Sequence, residues 1–258
     1  MDVLELCRQW NRDGFVLLRE HLDRMRCQLL SDSVDELSRW PEAPGKWMKW
    51  YERTPHGRQL CRVEDFVPYH VGLSQLLASE PISKVLAWLL GERAVLFKEK
   101  INYKLPQGAG FAPHQDAPAF ASFGQSYHVT VMLAVDFCTL DNGCLEVVEG
   151  LHGSGLFPQA ADGTLHPDWV EAQVWRPIEM APGDVLFFDS YLPHRSGPNR
   201  SSEARRALYV TYNRASAGMR RDAYFAHKRH SFPPECERMP GVDYTHGATQ
   251  FNLGNPIV

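Results

Sequence analysis

The stretch that decides the fold is residues 183–213, GDVLFFDSYLPHRSGPNRSSEARRALYVTYN. It opens on a Gly-Asp turn, and residues 185–188 are a short branched and aromatic run that predicts a strand. The SGPNRSS segment is typical of a loop, and residues 206–212 predict a second strand. On this pattern, His194 at the end of one strand and Arg205 at the start of its neighbour face one pocket.

Partners for His194 in such a pocket lie upstream, in the FAPHQDAP segment at residues 111–118. Residues two apart in an extended chain point to the same side, so His114 and Asp116 project together. Two imidazoles and one carboxylate on one face of a metal ion leave the opposite positions open, which is the arrangement of non-haem Fe(II) oxygenases. We therefore predict His114, Asp116 and His194 as iron ligands, with Arg205 binding a carboxylate co-substrate.

Strand alternation distinguishes Arg205 from its neighbour Arg206. Arg205 shares its side of the strand with Ala207, whereas Arg206 shares its side with larger apolar residues. A small residue beside a bound co-substrate makes room for it, which favours Arg205.

Two further segments alternate strictly and predict strands that border the pocket. In FKEKINYKL, residues 97–105, one face carries Lys98, Lys100, Asn102 and Lys104. This face is either a solvated outer surface or the wall of a cavity that binds anionic groups. In residues 128–137 one face is apolar and the other is mixed, so the mixed-face residues Thr130 and Met132 are candidate pocket residues.

The remaining segments predict helices and loops around this strand region. Residues 2–12 and 20–39 predict helices, and residues 71–90 predict two helical pieces separated at Pro81. Residues 41–66 are aromatic and irregular, and their cluster Trp47, Trp50 and Tyr51 forms either a lid or cage over the site or core packing under a long loop. The tail, residues 214–258, carries apolar residues that predict docking on the body, with nothing that looks catalytic.

Composition narrows the class of protein. The 258 residues are 44% hydrophobic and 22% charged, which is ordinary for a globular chain. A formal net charge of −4 argues against a nucleic-acid partner. The sequence has no apolar run long enough to span a membrane and its start does not resemble a signal peptide, so we predict a cytoplasmic protein. Six cysteines without metal-binding spacing predict reduced, buried thiols, and no feature sets an oligomeric state.

Four motifs together resemble one known family. They are DGFVLL from residue 13, HQD at residues 114–116, DNGCLEVV from residue 141, and the GDVLFFD…HRSGPNRS…R run of the opening stretch. In these motifs the chain resembles the phytanoyl-CoA dioxygenase family of Fe(II)/2-oxoglutarate oxygenases, and the motifs span most of its length.

The resemblance implies a mainly β protein with flanking helices and a double-stranded β-helix (jelly-roll, cupin-like) core. It implies one oxygenase domain over residues 1–258, with a mostly helical cover and lid loop at 1–92, the core at 93–213 and a packed tail at 214–258. Fe(II), 2-oxoglutarate and O2 would be its cofactor and co-substrates. By the same resemblance, Ser196 binds the far carboxylate of 2-oxoglutarate with Arg205, and Lys100 and Asn102 lie on the strand that contacts it.

The resemblance also bears on the reaction. Halogenating relatives carry a small residue in place of the acid, so Asp116 favours hydroxylation of an unactivated C–H bond. Within the family, FKEKINYKLP, GFAPHQDAPAF, SYLPHRSGPN and FNLGNPI are most similar to bacterial 2-aminoethylphosphonate hydroxylases, which implies a small anionic substrate. The alternatives are the same chemistry on an acyl-CoA or a natural-product intermediate, a non-catalytic jelly-roll binding protein, and a Zn(II) hydrolase that uses the same three ligands.

Overall fold

The computed structural model describes residues 2–55, 57–252, 254 and 256–257. Of the closing FNLGNPIV stretch, residues 253, 255 and 258 therefore lie outside the described residues. The α-helices within the described ranges are α1 Val3–Asp13, α2 Arg24–Arg39, α3 Val71–Leu77, α4 Glu80–Leu90, α5 Pro167–Glu171, α6 Arg221–Ser231 and α7 Thr245–Phe251. The strands are β1 Phe15–Leu18, β2 Met48–Thr54, β3 Gly57–Glu64, β4 Ala94–Lys104, β5 Phe111–His114, β6 Val129–Ala134, β7 Leu145–Val147, β8 Arg176–Ile178, β9 Val185–Asp189, β10 His194–Ser196 and β11 Arg205–Arg214.

Two antiparallel sheets form the frame. The larger has the strand order β1-β9-β6-β11-β4-β3-β2, and the smaller has the order β5-β10-β7-β8. The predicted strand pair of the opening stretch is only partly correct. β9 and β11 are separated by β6, and His194 lies on the additional strand β10 in the smaller sheet. His194 and Arg205 thus belong to different sheets rather than to neighbouring strands.

The N-terminal helices cover the outer face of the larger sheet. Local sequence sets their ends: the Asp2 and Asp23 side chains accept hydrogen bonds from backbone N–H groups in the first turns of α1 and α2, and Gly14 ends α1 in the left-handed conformation. Their apolar stripes pack on the outward-facing residues of the sheet in one continuous core, with members Leu6, Trp10, Leu30, Val34, Leu37, Ile101, Val131, Leu133, Phe187, Leu208 and Val210. The helices predicted over residues 2–12 and 71–90 are confirmed, and the second predicted helix begins at Arg24 rather than at residue 20.

A second apolar core fills part of the space between the two sheets, with members that include Phe15, Met132, Leu145, Leu186, Phe188, Ala207 and Tyr209. The remaining inner space is polar. The inner face of β4 points into it, which decides the alternative left open for the lysine face: Lys98 and Lys104 are buried, and Lys100 is partly buried. The solvated-surface interpretation of this face is therefore wrong.

One detail of β4 departs from strict alternation. The register pairs Leu96 with Tyr212 and Lys98 with Thr211, so Phe97 is an extra residue at a β-bulge. Phe97 consequently packs in the inner aromatic cluster against Phe120, with 5.2 Å between ring centroids, and not with the outer-face residues of its strand.

The irregular structure predicted over residues 41–66 is wrong for residues 48–54 and 57–64. These form the antiparallel hairpin of β2 and β3, which extends the larger sheet beyond β4. The three aromatic residues do not converge on one cage, and Trp47 and Trp50 instead follow the alternative of core packing. Trp50 is buried and stacks on Phe232, Trp47 packs against Trp40, and the Tyr51 ring faces the Arg58 guanidinium at 3.4 Å. The two tryptophans thus anchor this segment to its surroundings, whereas Tyr51 and Arg58 join its two strands.

The C-terminal segment packs against the sheets. α6 and α7 pack over one end of the inner space through a third apolar cluster, with members Met48, Trp50, Phe97, Phe120, Tyr224, Phe225, Phe232 and Phe251. Across the described ranges, no helix combines the length and the apolar character that crossing a membrane requires.

Candidate functional site

The sequence-predicted ligand residues meet where the smaller sheet faces the inner space. His114 ends β5 and His194 begins β10, and the two lie directly opposite each other in the antiparallel register. Their ring centroids are 4.2 Å apart, and Asp116 lies two residues beyond His114 with a carboxylate oxygen 3.9 Å from its Nε2. Each of the three residues offers one donor atom, and these atoms lie within 4.8 Å of one another. The arrangement suits a single metal ion.

Hydrogen bonds orient both imidazoles toward that ion. Nδ1 of His114 lies 2.7 Å from the Ala112 carbonyl, and Nδ1 of His194 lies 2.9 Å from the Leu192 carbonyl. A carbonyl can only accept, so each Nδ1 carries the hydrogen and each Nε2 keeps a free lone pair. Burial, reinforced by the neighbouring imidazole, lowers the pKa of His114 to about 3, and burial also lowers the pKa of His194. Both rings are therefore neutral at pH 7, the form that binds metal.

The third donor is held as a carboxylate. Burial alone would raise the pKa of Asp116, but nearby Lys98 and Lys100 keep that pKa below its ordinary value. Two neutral imidazoles and one carboxylate with open positions opposite them are the donor set that Fe(II) takes in non-haem oxygenases. The residues present thus fit an iron ion.

Arg205 lies in the inner space at the start of β11, completely buried. One of its terminal nitrogens donates to the Gly143 carbonyl at 2.6 Å, the other lies 3.4 Å from the Tyr209 hydroxyl, and Nε has no partner among the described residues. Arg206 points the other way and pairs with Asp136 and Asp35 on the outer side. A buried guanidinium without a carboxylate is a ready site for an anion.

Lys104 lies beside Arg205 in this anion-binding site. The two residues are cross-strand partners, and the Lys104 ammonium donates to the Ser196 hydroxyl at 2.8 Å and to the Gly197 carbonyl. Burial, with the adjacent charge of Arg205, lowers the pKa of Lys104 to about 6. Ser196 itself shares one face of β10 with His194, so the strand connects the metal donors to these two cations.

The Asp141-Asn-Gly turn supplies the carbonyl that Arg205 and Lys104 share. Gly143 has a φ of +75°, and a Cβ built there would lie 2.2 Å from the Gly197 carbonyl oxygen and 2.8 Å from the Lys104 ammonium. Only glycine combines this conformation with such close backbone approach. The DNG motif therefore shapes the cation-bearing end of the site.

Two cavities meet at the candidate metal site. The first runs toward β10 and β11 and is bordered by Asn102, Phe111, His194, Ser196 and Tyr209. The second runs toward the C-terminal helices and is bordered by Arg62, Glu64, Lys98, Tyr224 and Lys228. Lys100, His114 and Asp116 border both. The candidate metal site therefore lies where the two cavities share part of their lining.

Of the four other predicted site residues, two border the first cavity and two border neither cavity. Lys100 and Asn102 border the first cavity, and the Asn102 side-chain oxygen accepts from Nε of Arg62 at 2.9 Å. Met132 is on the inner face but fills the apolar core, and the Thr130 hydroxyl pairs with that of Thr211 at 3.0 Å. Neither Met132 nor Thr130 borders the two cavities, because β6 lies on the side of the inner space that Phe188 and Tyr209 fill.

Sequence reasoning missed the wall that the hairpin and the tail contribute. Arg62 and Glu64 come from β3, and Tyr224, Lys228 and Phe251 come from α6 and α7. Glu64 forms buried ion pairs with Lys228 and with Arg62. The only sequence signal was the presence of charged residues in otherwise apolar surroundings, as in CRVEDF and AYFAHKRH.

Comparisons with known proteins agree with this geometry. The family model described as phytanoyl-CoA dioxygenase (PhyH) matches residues 10–207. The chain is 49% identical to a 2-aminoethylphosphonate dioxygenase of the uncultured bacterium HF130_AEPn_1 over 96% of each chain. It is 43% identical to a methylphosphonate hydroxylase of Gimesia maris, over 87% of this chain and 85% of that relative.

Solved structures show the same fold at low sequence identity. EctD from S. alaskensis, solved with 2-oxoglutarate and 5-hydroxyectoine, has a TM-score of 0.72 at 18% identity, covering 84% of this chain and 77% of that chain. The epimerase SnoN, solved with Fe3+, alpha ketoglutarate and nogalamycin RO, has a TM-score of 0.69 at 19% identity, covering 93% and 91%. The predicted jelly-roll core with flanking helices is confirmed.

The three metal donors, the anion-binding site beside them and the long sequence match all support the same classification. The protein is a 2-oxoglutarate-dependent dioxygenase that uses Fe(II) and O2, and the chain belongs to the phytanoyl-CoA dioxygenase family.

Proposed function

We propose that this enzyme hydroxylates a C–H bond of a small phosphonate, with 2-aminoethylphosphonate as the favoured substrate. The observation that carries the proposal is the second cavity, which brings four cationic side chains and one acid of its own to the side of His114 and Asp116. Such an excess of positive charge suits a small anion. The two relatives described above are named for activity on small phosphonates.

The three donors have a defined role in this proposal. His114, Asp116 and His194 bind Fe(II), each through the donor atom that points to the common centre. Bound iron supplies the oxygen activation by which 2-oxoglutarate and O2 become succinate and CO2, while the second oxygen atom enters the substrate C–H bond. The protein excludes water and holds the reactants near each other.

The opposite end of the first cavity binds the co-substrate. Arg205, with Ser196 and Lys104, binds the far carboxylate of 2-oxoglutarate, and this ligand takes over hydrogen bonds now made to the carbonyls of Gly143 and Gly197. Lys100 and Asn102 border the same cavity and contact the co-substrate from β4.

An amine on the substrate also has partners in the second cavity. Glu64 is the acid of this wall outside the candidate metal site, and the rings of Tyr224 and Phe251 lie beside it. Methylphosphonate has no amine to use them, which favours the aminoethyl compound.

A small-molecule substrate, the free thiols and the absence of a membrane-spanning helix in the described ranges support a cytoplasmic site of action.

Product analysis tests the proposal. The protein, supplied with Fe(II), 2-oxoglutarate, O2 and 2-aminoethylphosphonate, should convert the phosphonate to a hydroxylated product seen by phosphorus NMR, with an equal amount of succinate. Methylphosphonate should react more slowly. Succinate formed without any change in either phosphonate would overturn the proposed substrate class.

A further inference from the structure

Lys98 carries an unpaired charge into the second cavity. It lies on the inner face of β4 opposite Thr211 and is only 9% exposed. Its ammonium is 4.4 Å from the centroid of the Phe120 ring and 5.7 Å from that of Tyr224, and among the described residues it has no hydrogen bond or ion pair. Lys100, two residues along, is alike: its ammonium is 5.5 Å from the Tyr209 ring centroid and has no such partner in the same ranges.

The other lysines of this interior show what a structural role looks like. Lys228 is buried against the Glu64 carboxylate, and Lys104 is buried against the Ser196 hydroxyl and two backbone carbonyls. Burial of an ammonium group is strongly unfavourable unless a partner compensates it, and contact with aromatic faces compensates only part of that cost. Lys98 and Lys100 attract the nearby Asp116 carboxylate but form no ion pair with it within the described residues, so a bound anion would supply the direct partner that each ammonium lacks.

The position of the two ammonium groups indicates which anion this is. Both border the second cavity together with His114 and Asp116, and Lys100 borders the first cavity as well. Lys104 contacts Ser196, which borders the first cavity, and Arg205 is the cross-strand partner of Lys104. A phosphonate approaches two negative charges near neutral pH and offers three acceptor oxygens, so it can bind both ammonium groups at once. A carboxylate has one charge and two oxygens.

We propose that Lys98 and Lys100 bind the phosphonate group of the substrate and select it over a carboxylate. This inference rests on the proposed function and assigns its substrate-binding residues. The rings of Phe120 and Tyr224 hold the Lys98 ammonium in place, so the side chain is already oriented before substrate binds.

Binding measurements on the Fe(II)- and 2-oxoglutarate-loaded enzyme, without O2, test the inference. The variants are Lys98→Met and Lys100→Met, with Lys98→Arg as the charge-retaining variant. Lys84→Met is the matched control, since Lys84 is an exposed lysine on α4 that borders neither cavity. The titrants are 2-aminoethylphosphonate and its carboxylate analogue, 3-aminopropanoate, and 2-oxoglutarate affinity is measured separately.

We expect each Met variant to raise the dissociation constant for the phosphonate at least about tenfold, as for loss of a charge-assisted hydrogen bond. The preference for phosphonate over carboxylate should fall by a similar factor. The 2-oxoglutarate dissociation constant of Lys98→Met should change less than about twofold. Lys100→Met alters a residue that borders both cavities, so it should weaken 2-oxoglutarate binding as well, but less than it weakens phosphonate binding. Lys98→Arg should recover part of the phosphonate affinity.

Thermal unfolding separates a binding role from a structural one. Removal of an unpaired buried charge should leave the ligand-free melting temperature of Lys98→Met unchanged or raise it. A folded variant that binds the phosphonate as tightly as the parent enzyme would overturn the inference, as would an equal loss of 2-oxoglutarate affinity. Failure of the proposed function is distinguishable, because the parent enzyme itself would then neither bind nor hydroxylate the phosphonate.

Discussion

Arg205 and Lys104 place two basic side chains side by side in the interior, and neither forms an ion pair within the described residues. The hydrogen bonds they make go to neutral carbonyls and hydroxyls. At the scale of the residue, Arg205 and Lys104 lack an anionic partner, and a carboxylate of 2-oxoglutarate would supply one. The sequence predicted Arg205 from strand alternation, but the partnership with Lys104 depends on the register of β4 against β11, which no local pattern defines.

Arg205→Met should weaken 2-oxoglutarate binding by at least about tenfold, because a buried charge-assisted hydrogen bond to the far carboxylate is lost. Anaerobic titration of the Fe(II) enzyme with 2-oxoglutarate measures the effect. Arg206→Met is the matched control, since Arg206 has the same charge but pairs with Asp136 on the outer side. Equal 2-oxoglutarate affinity in the two variants would contradict the assignment of Arg205.

Lys104 should make 2-oxoglutarate binding depend on pH. In the ligand-free protein burial lowers its pKa to about 6, so the side chain is largely neutral at pH 7. A bound carboxylate favours the ammonium form and raises that pKa, so binding takes up a proton. Affinity should therefore fall as pH rises above about 6.

Calorimetry in buffers of different ionisation enthalpy measures this proton uptake directly. Lys104→Met should bind 2-oxoglutarate more weakly at pH 6 and lose most of the pH dependence above it. A parent enzyme whose binding releases no proton and takes up none at pH 7.5 would show that Lys104 stays neutral in the complex.

At the scale of the element, strand alternation in β4 predicts that the lysines share one face, but it does not predict whether that face points inward. The C-terminal helices determine the direction, because they cover the lysine face through the third apolar cluster. The hairpin of β2 and β3 escaped prediction for a local reason. The sequence between Thr54 and Gly57 is not among the residue pairs that signal a two-residue turn, and the aromatic residues of β2 do not alternate cleanly with polar ones.

The buried pair of Glu64 and Lys228 joins β3 to α6 across the second cavity. Glu64→Gln leaves the Lys228 charge without its partner and should lower the free energy of unfolding by about 3 kcal/mol. Urea unfolding measures the loss, and Glu80→Gln, which removes an exposed acid paired with Lys84, should cost less than about 1 kcal/mol. Equal effects would mean that this pair does not hold the C-terminal segment.

The same pair has a defined pH dependence. Burial would raise the pKa of Glu64, but Lys228 and Arg62 lower it to about 2, below its ordinary value. Its stabilising contribution is thus complete above the ordinary carboxyl pKa and is lost as pH falls toward about 2.

At the scale of the whole molecule, the site is assembled from segments far apart in sequence. His114, His194 and Ser196 come from the smaller sheet, and Asp116 follows its strand β5. Most of the cationic side chains come from the larger sheet, and the C-terminal helices supply Lys228 and the outer wall of the second cavity. Motif spacing predicted that His114, Asp116 and His194 converge, because iron chemistry restricts the residue types that can serve as ligands, and the structure brings the three together. The wall of the second cavity was not predictable in this way, since many combinations of lysine, arginine and aromatic residues bind a small anion.

Oxygen uptake tests the central claim most directly. The Fe(II)-loaded enzyme should consume O2 rapidly only when 2-oxoglutarate and 2-aminoethylphosphonate are both present, with one succinate formed for each O2, and Asp116→Ala should abolish that uptake. Oxygen consumption that does not depend on 2-oxoglutarate, or that persists undiminished in Asp116→Ala, would contradict the account.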